Sequence, residues 1–133
     1  MLTICDTHAL LFWADRRERL SQTALAALET GRQAGVLACS DMCFCEMAML
    51  FRKGRLRVPL PHTPASYMEN IAAALKLTIL PVSPTIAALA ESGIVPQGDP
   101  GDRVIAATAL HYNAPLITAD GKLHDLPQLR CIW

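Results

Sequence analysis

The chain has 133 residues, 12 Lys plus Arg against 12 Asp plus Glu, a hydrophobic share of 52 % and a mean hydropathy of +0.27. A single domain over 1–133 with a real core is expected; disorder is excluded, as is a simple phosphate-coating protein, which would carry a basic excess. The longest apolar run, Ala9–Ala14, is far short of a membrane span, no basic region precedes an apolar stretch at the start, and five cysteines suit a reducing cytoplasm better than a disulfide scaffold.

Leu2–Cys5 is predicted as a strand running straight into Asp6, Thr7 and His8, then a helix through Ala9–Ala14. Ligands of open α/β sheets bind outside the carboxyl ends of strands, so Asp6 is a candidate site residue as well as a candidate N-cap. Asp15–Leu20 is a charged connector; Arg16, Arg17 and Arg19 read as a solvated face or as an extension of a phosphate-binding rim. Ser21 caps a helix from Gln22 to about Gln33, ending near Gly35, and Val36–Cys39 is the second strand.

Ser40 and Asp41 are expected as caps of a helix from about Met42 to Lys53, stopped by Gly54. Within it Glu46 is flanked by apolar side chains. A carboxylate there is costly unless it is paired, as in a buried salt bridge, or bound to a cation. Arg52, Lys53, Arg55 and Arg57 follow as a basic cluster, either a solvated helix end or a set of phosphate contacts.

Val58–Pro64 reads as a proline-rich loop, Thr63-Pro64 opens a helix to about Lys76, Leu77–Leu80 is the third strand, and Ser83-Pro84 opens a helix over Thr85–Glu91. Asp99-Pro100 marks the start of another helix, with Asp102 in its first turn and Val104–Leu110 apolar except for Thr108. After the turn Asn113-Ala114, the strand Pro115–Thr118 leads into Asp120; Leu123–Leu129 is read as irregular and Cys131–Trp133 as a last strand. Strands alternating with helices imply an α/β fold with a parallel four- or five-stranded sheet sandwiched between helices.

In that arrangement Asp6, Glu46, Asp102 and Asp120 converge at one sheet edge, with Asp99 a possible fifth acid acting as cap or support. Packed carboxylates repel unless a cation or raised pKa values relieve them. An all-oxygen set without paired His or thiolate suits Mg²⁺ or Mn²⁺, ions that activate water and stabilise charge in phosphoryl displacement.

The segments LTICDTHALLFW, ERLSQTALAAL, Ser40–Glu46 continuing through AMLFRKGRL, GDPGDRVIAATAL and LITADGKL together resemble the PIN-domain family, specifically VapC-like toxin nucleases of prokaryotic toxin–antitoxin pairs. The resemblance implies an endoribonuclease in which Asp6, Glu46, Asp102 and Asp120 hold the metal. It also implies support from Thr7 and Thr118, RNA as substrate, a VapB-like antitoxin as inhibitor, and a homodimer. The chain departs from the family pattern at Cys5, at Cys45, and at Gly101, where relatives commonly carry a bulky residue. A non-catalytic PIN-like interaction module, with structural acids or acids that bind a partner's arginine, is the alternative.

Arg103, beside Asp102, is expected either to pair with an acid or to reach a phosphate. His8 is expected as a partly buried, hydrogen-bonded histidine, with substrate contact the sharper reading. Cys39, Cys43 and Cys45 are expected as buried thiols, because Cys45 is out of helical phase and no paired His follows for zinc. Met47, Met49 and Phe51 are candidate interface residues.

Overall fold

The computed structural model describes residues 1–96 and 98–133. Among these, β1 (Thr3–Cys5), β2 (Leu37–Ser40), β3 (Thr78–Leu80), β4 (Leu116–Ile117) and β5 (Cys131–Ile132) form one sheet in the order β3-β2-β1-β4-β5, with every pairing parallel. The helices are α1 (Thr7–Asp15), α2 (Gln22–Ala34), α3 (Met42–Arg52), α4 (Pro64–Ala74), α5 (Pro84–Ala90), α6 (Pro100–His111) and the single turn α7 (Gly121–His124). That last turn replaces the start of the stretch expected to be irregular: Asp120 caps it and Leu123 is buried under it.

The central strands are buried on both faces, as a parallel sheet covered by helices requires. Ile4, Cys5, Leu37, Ala38, Cys39, Leu116 and Ile117 are all fully enclosed. α1 buries Ala9, Leu10, Leu11 and Trp13, while α6 packs closely through Ile105, Ala106, Ala107 and Ala109. The polar exception in α6, Thr108, donates its hydroxyl to Val104 O at 2.7 Å, which satisfies it without a tertiary partner.

Sequence punctuation accounts for the helix ends. Ser21 Oγ accepts from Ala24 N at 3.0 Å and Ser83 Oγ from Ile86 N at 3.2 Å, while Thr63 and Ser66 form a reciprocal capping box. Gly35 closes α2 with φ 70°, a left-handed conformation that suits glycine. At α3 the device differs from expectation: Asp41 occupies the cap position without a side-chain bond, and Ser40 Oγ accepts from Met42 N at 3.1 Å.

The strand order reverses at β1, where β2 lies to one side and β4 to the other. A crevice therefore opens at the carboxyl ends of β1 and β4. Register fixes its floor. Cys5 pairs with Ile117, and Asp6 N donates to Ile117 O at 3.0 Å, so Asp6 and Thr118 leave the sheet side by side. Among the described residues, no helix is long and apolar enough to cross a membrane.

Candidate active site

The crevice is an acidic cleft of about 370 Å³, walled by Asp6, Glu46, Asp99, Asp102 and Asp120 together with His8, Phe12 and Arg19. Asp6, after β1, is only 8 % exposed. Its Oδ1 accepts from Thr7 N at 2.7 Å, capping α1, and its Oδ2 accepts from Thr118 Oγ1 at 2.7 Å. The Thr118 hydroxyl also accepts from Asp120 N at 3.1 Å, and Asp120 Oδ1 accepts from Lys122 N at 2.9 Å. Both sheet-borne acids are thus locked by local hydrogen bonds.

The other three acids come from α3 and the start of α6. Glu46 Oε1, on α3, accepts from Thr7 Oγ1 at 2.7 Å, and the charges that face it are Asp6 and Asp99 rather than a cation. The salt-bridge alternative for Glu46 is therefore not what the fold builds. Asp99 Oδ1 caps α6 by accepting from Gly101 N at 2.8 Å. Glu46, Asp99 and Asp102 each present an oxygen within 4.8 Å of the others. Asp99, read from sequence as a support, belongs to the tightest trio; Asp6 and Asp120 stand on the walls of the same cleft.

The electrostatics record the crowding. Burial, followed by the charges of Asp99, Asp6, Glu46 and Asp120, pushes Asp102 up to about 7. Burial also raises Asp6 and Glu46, against the lowering effect of their threonine hydrogen bonds. Hard carboxylate oxygens facing one another without a cation are a donor set that fits a divalent ion such as Mg²⁺ or Mn²⁺. Among the described residues this trio is the one group of three or more His, Cys, Asp or Glu arranged closely enough for an ion. The cysteines form no such group: Cys39 and Cys43 are buried, and Cys45 is exposed.

A larger groove, of about 610 Å³, adjoins the acids and shares His8, Phe12 and Arg19 with their cleft. Arg16, Arg55 and Arg57 also line it. The fold therefore divides both basic clusters. Arg52 and Lys53 are exposed at the end of α3 and are not among the groove's walls, whereas Arg55 and Arg57 are. Arg17 stacks on Trp13 at 4.5 Å and donates Nε to Trp13 O at 2.8 Å, while Arg16 and Arg19 face the groove. Arg103 donates to Gly98 O at 2.9 Å and to Glu91 Oε1 at 3.0 Å, a role on the loop before α6.

His8 differs from expectation, being exposed, tilted against Phe12 with ring centroids 5.8 Å apart, and placed where the two cavities meet. The sequence carried an unused signal: His8, Leu11, Phe12 and Asp15 have helical i, i+3, i+4, i+7 spacing, and all four line the groove. Of the three apolar residues expected at a surface, Met49 is 46 % exposed, Met47 is fully buried, and Phe51 packs edge-on against Tyr67.

The PIN domain model matches residues 3–129. The chain belongs to the PIN domain family. A curated relative, Ribonuclease VapC22 of Mycobacterium tuberculosis (strain ATCC 25618 / H37Rv), is 30 % identical over 132 residues, covering 98 % of this chain and 97 % of the relative. Among solved structures, VapBC2 from Rickettsia felis, bound to a DNA fragment from its promoter, aligns with a TM-score of 0.74 at 17 % identity over 98 % of this chain and 97 % of that one. A toxin–antitoxin complex from Klebsiella pneumoniae aligns with a TM-score of 0.64 at 21 % identity over 96 % and 94 %. The expected α/β sandwich is thus the PIN fold, with five parallel strands.

Proposed function

We propose that this PIN protein is a divalent-metal-dependent endoribonuclease, the toxin of a VapBC-like toxin–antitoxin pair, acting in a reducing cytoplasm. The observation that carries the reading is the convergence of five carboxylates in one cleft of a PIN fold whose curated relative is named a ribonuclease. Asp6, Glu46, Asp102 and Asp120 are the proposed catalytic and metal-holding groups, with Asp99 beside them and Thr7 and Thr118 in support. When bound, Mg²⁺ or Mn²⁺ supplies Lewis-acid polarisation of a phosphate oxygen and activation of a water.

The chain's own residues perform the remaining tasks. Thr7 ties the Glu46 carboxylate to the start of α1, and Thr118 ties Asp6 to the end of β4, so two hydroxyls fix two acids from different segments. Fixed oxygens lose little on reorganising when charge develops at phosphorus. Asp102, raised to about 7 by burial and its acidic neighbours, is the acid whose charge a bound cation would most directly relieve. A VapB-like antitoxin and a homodimer complete the proposal, supported by the toxin–antitoxin complexes among the structural neighbours and by the exposed Met49 on α3.

The test is cleavage of total cellular RNA by purified, antitoxin-free protein with Mn²⁺, Mg²⁺ or EDTA, beside Asp6→Asn and Asp102→Asn. Discrete, metal-dependent fragments that disappear in both variants are expected. Folded wild-type protein that cleaves nothing with either ion, or variants that cleave as well as wild type, would overturn the reading.

A further inference from the structure

The acidic cleft has room for the reacting phosphate but offers little to hold the rest of a strand, because acids make up the larger part of its walls. The adjoining groove has the opposite character. Arg16, Arg19, Arg55 and Arg57 line it, and its acid, Asp15, accepts a hydrogen bond from the Tyr67 hydroxyl. Between the two lies an aromatic platform: the Arg19 guanidinium rests over the Phe12 ring at 4.8 Å, and the His8 ring stands beside Phe12, tilted by 54° at a centroid distance of 5.8 Å. All three residues line both cavities.

We infer that the His8–Phe12–Arg19 cluster is the subsite for the nucleotide next to the scissile phosphate, and that single-stranded RNA continues from it past Arg55 and Arg57. This rests on the ribonuclease reading. Its physical basis is that unpaired bases stack on aromatic and guanidinium planes, while the neighbouring phosphates need cations. Arg19 is the cation shared by both cavities, so it serves the phosphate next to the reacting one; Arg55 and Arg57, confined to the larger groove, serve phosphates further along. Arg19 is also pre-oriented by Phe12, which reduces the side-chain freedom lost on binding. A protein segment is the competing occupant; continuity with the acidic cleft and the ring–guanidinium stack favour a nucleotide strand.

The experiment measures binding and turnover separately on full-length protein. Binding uses a fluorescein-labelled, mixed-sequence RNA of about 12 nucleotides in Ca²⁺, titrated with salt. Turnover uses the same RNA in Mn²⁺. Arg19→Gln and Phe12→Leu should each raise KM about tenfold with kcat changed less than about threefold, a ring-stacking loss of the expected size. Arg55→Gln with Arg57→Gln should lower the salt slope by about 1.4. Mn²⁺ affinity and melting temperature should stay at wild-type values in Arg19→Gln, which separates a lost contact from a damaged site. Wild-type cleavage with unchanged KM and salt slope in these variants would overturn the subsite, as would a groove that serves a protein segment instead. A wild type that neither binds nor cleaves would instead overturn the ribonuclease reading on which the subsite rests.

Discussion

The Glu46 carboxylate occupies the place a side chain at position 101 would take: a Cβ built on Gly101 falls 2.5 Å from Glu46 Oε2 and 3.3 Å from Asp99 Oδ1. The missing side chain lets an acid from α3 close against the first turn of α6. Gly101→Ala should push aside the flexible end of Glu46 rather than the backbone, so the fold survives while the trio opens. Calorimetric Mn²⁺ affinity should fall about tenfold, one missing ligand contact being worth roughly a few kcal/mol at most. An unchanged affinity would show that the trio does not hold the ion.

Thr118 Oγ1 is the donor to a carboxylate oxygen of Asp6 that is otherwise enclosed. Thr118→Val keeps the volume and removes the donor, leaving a buried acceptor unsatisfied. A loss of about 1–3 kcal/mol in urea denaturation is expected, the usual cost of such an orphan. A neutral result would mean that water replaces the hydroxyl.

Asp102 has an ordinary pKa of 3.8 that the fold raises to about 7. The folded state therefore favours the protonated form. This contribution is full below about pH 4 and is lost as pH rises through about 7. In EDTA the melting temperature of the wild type should fall across that window, with Asp6 and Glu46 acting in the same direction. Asp102→Asn should flatten the fall, and Mn²⁺ should restore stability at the alkaline end. Parallel melting curves for the two proteins would show that Asp102 does not drive the effect.

Arg103 holds the loop before α6 through Gly98 O and Glu91 Oε1, with its own side chain 18 % exposed and Glu91 69 % exposed. Solvent screening at Glu91 limits that ion pair, so Arg103→Ala should cost only about 1 kcal/mol. The salt slope for RNA should not change. A slope lowered by about 0.7 would return Arg103 to the substrate path.

Strand, cap and helix signals were legible because each rests on a few adjacent residues: Asp99-Pro100, Ser83-Pro84 and Thr63-Pro64 all mark helix starts where the fold has them. The acids were legible as a set because Asp6 and Asp120 follow strands and Glu46 is expensive where it stands. The membership of the closest trio was not, since it depends on how α3 and α6 cross, and Gly101 matters only through that crossing. The division among the arginines was also hidden. Arg17 turns to Trp13 while Arg16 and Arg19 turn to the groove, a choice made by a three-residue 3₁₀ turn at Arg17–Arg19 that no periodicity announces.

The parallel pairing of β1 with β4 makes the cleft a vise with one fixed jaw. Asp6 leaves β1 with its backbone N–H still bonded to Ile117 O, and the Asp120 backbone is tied to the Thr118 hydroxyl. Glu46, Asp99 and Asp102 form the other jaw, carried on α3 and the start of α6, which pack against each other outside the sheet. Substitutions between α3 and α6, far from any acid, can therefore adjust the gap in which a phosphate sits, and evolution can retune this PIN protein there while leaving the sheet-borne acids untouched.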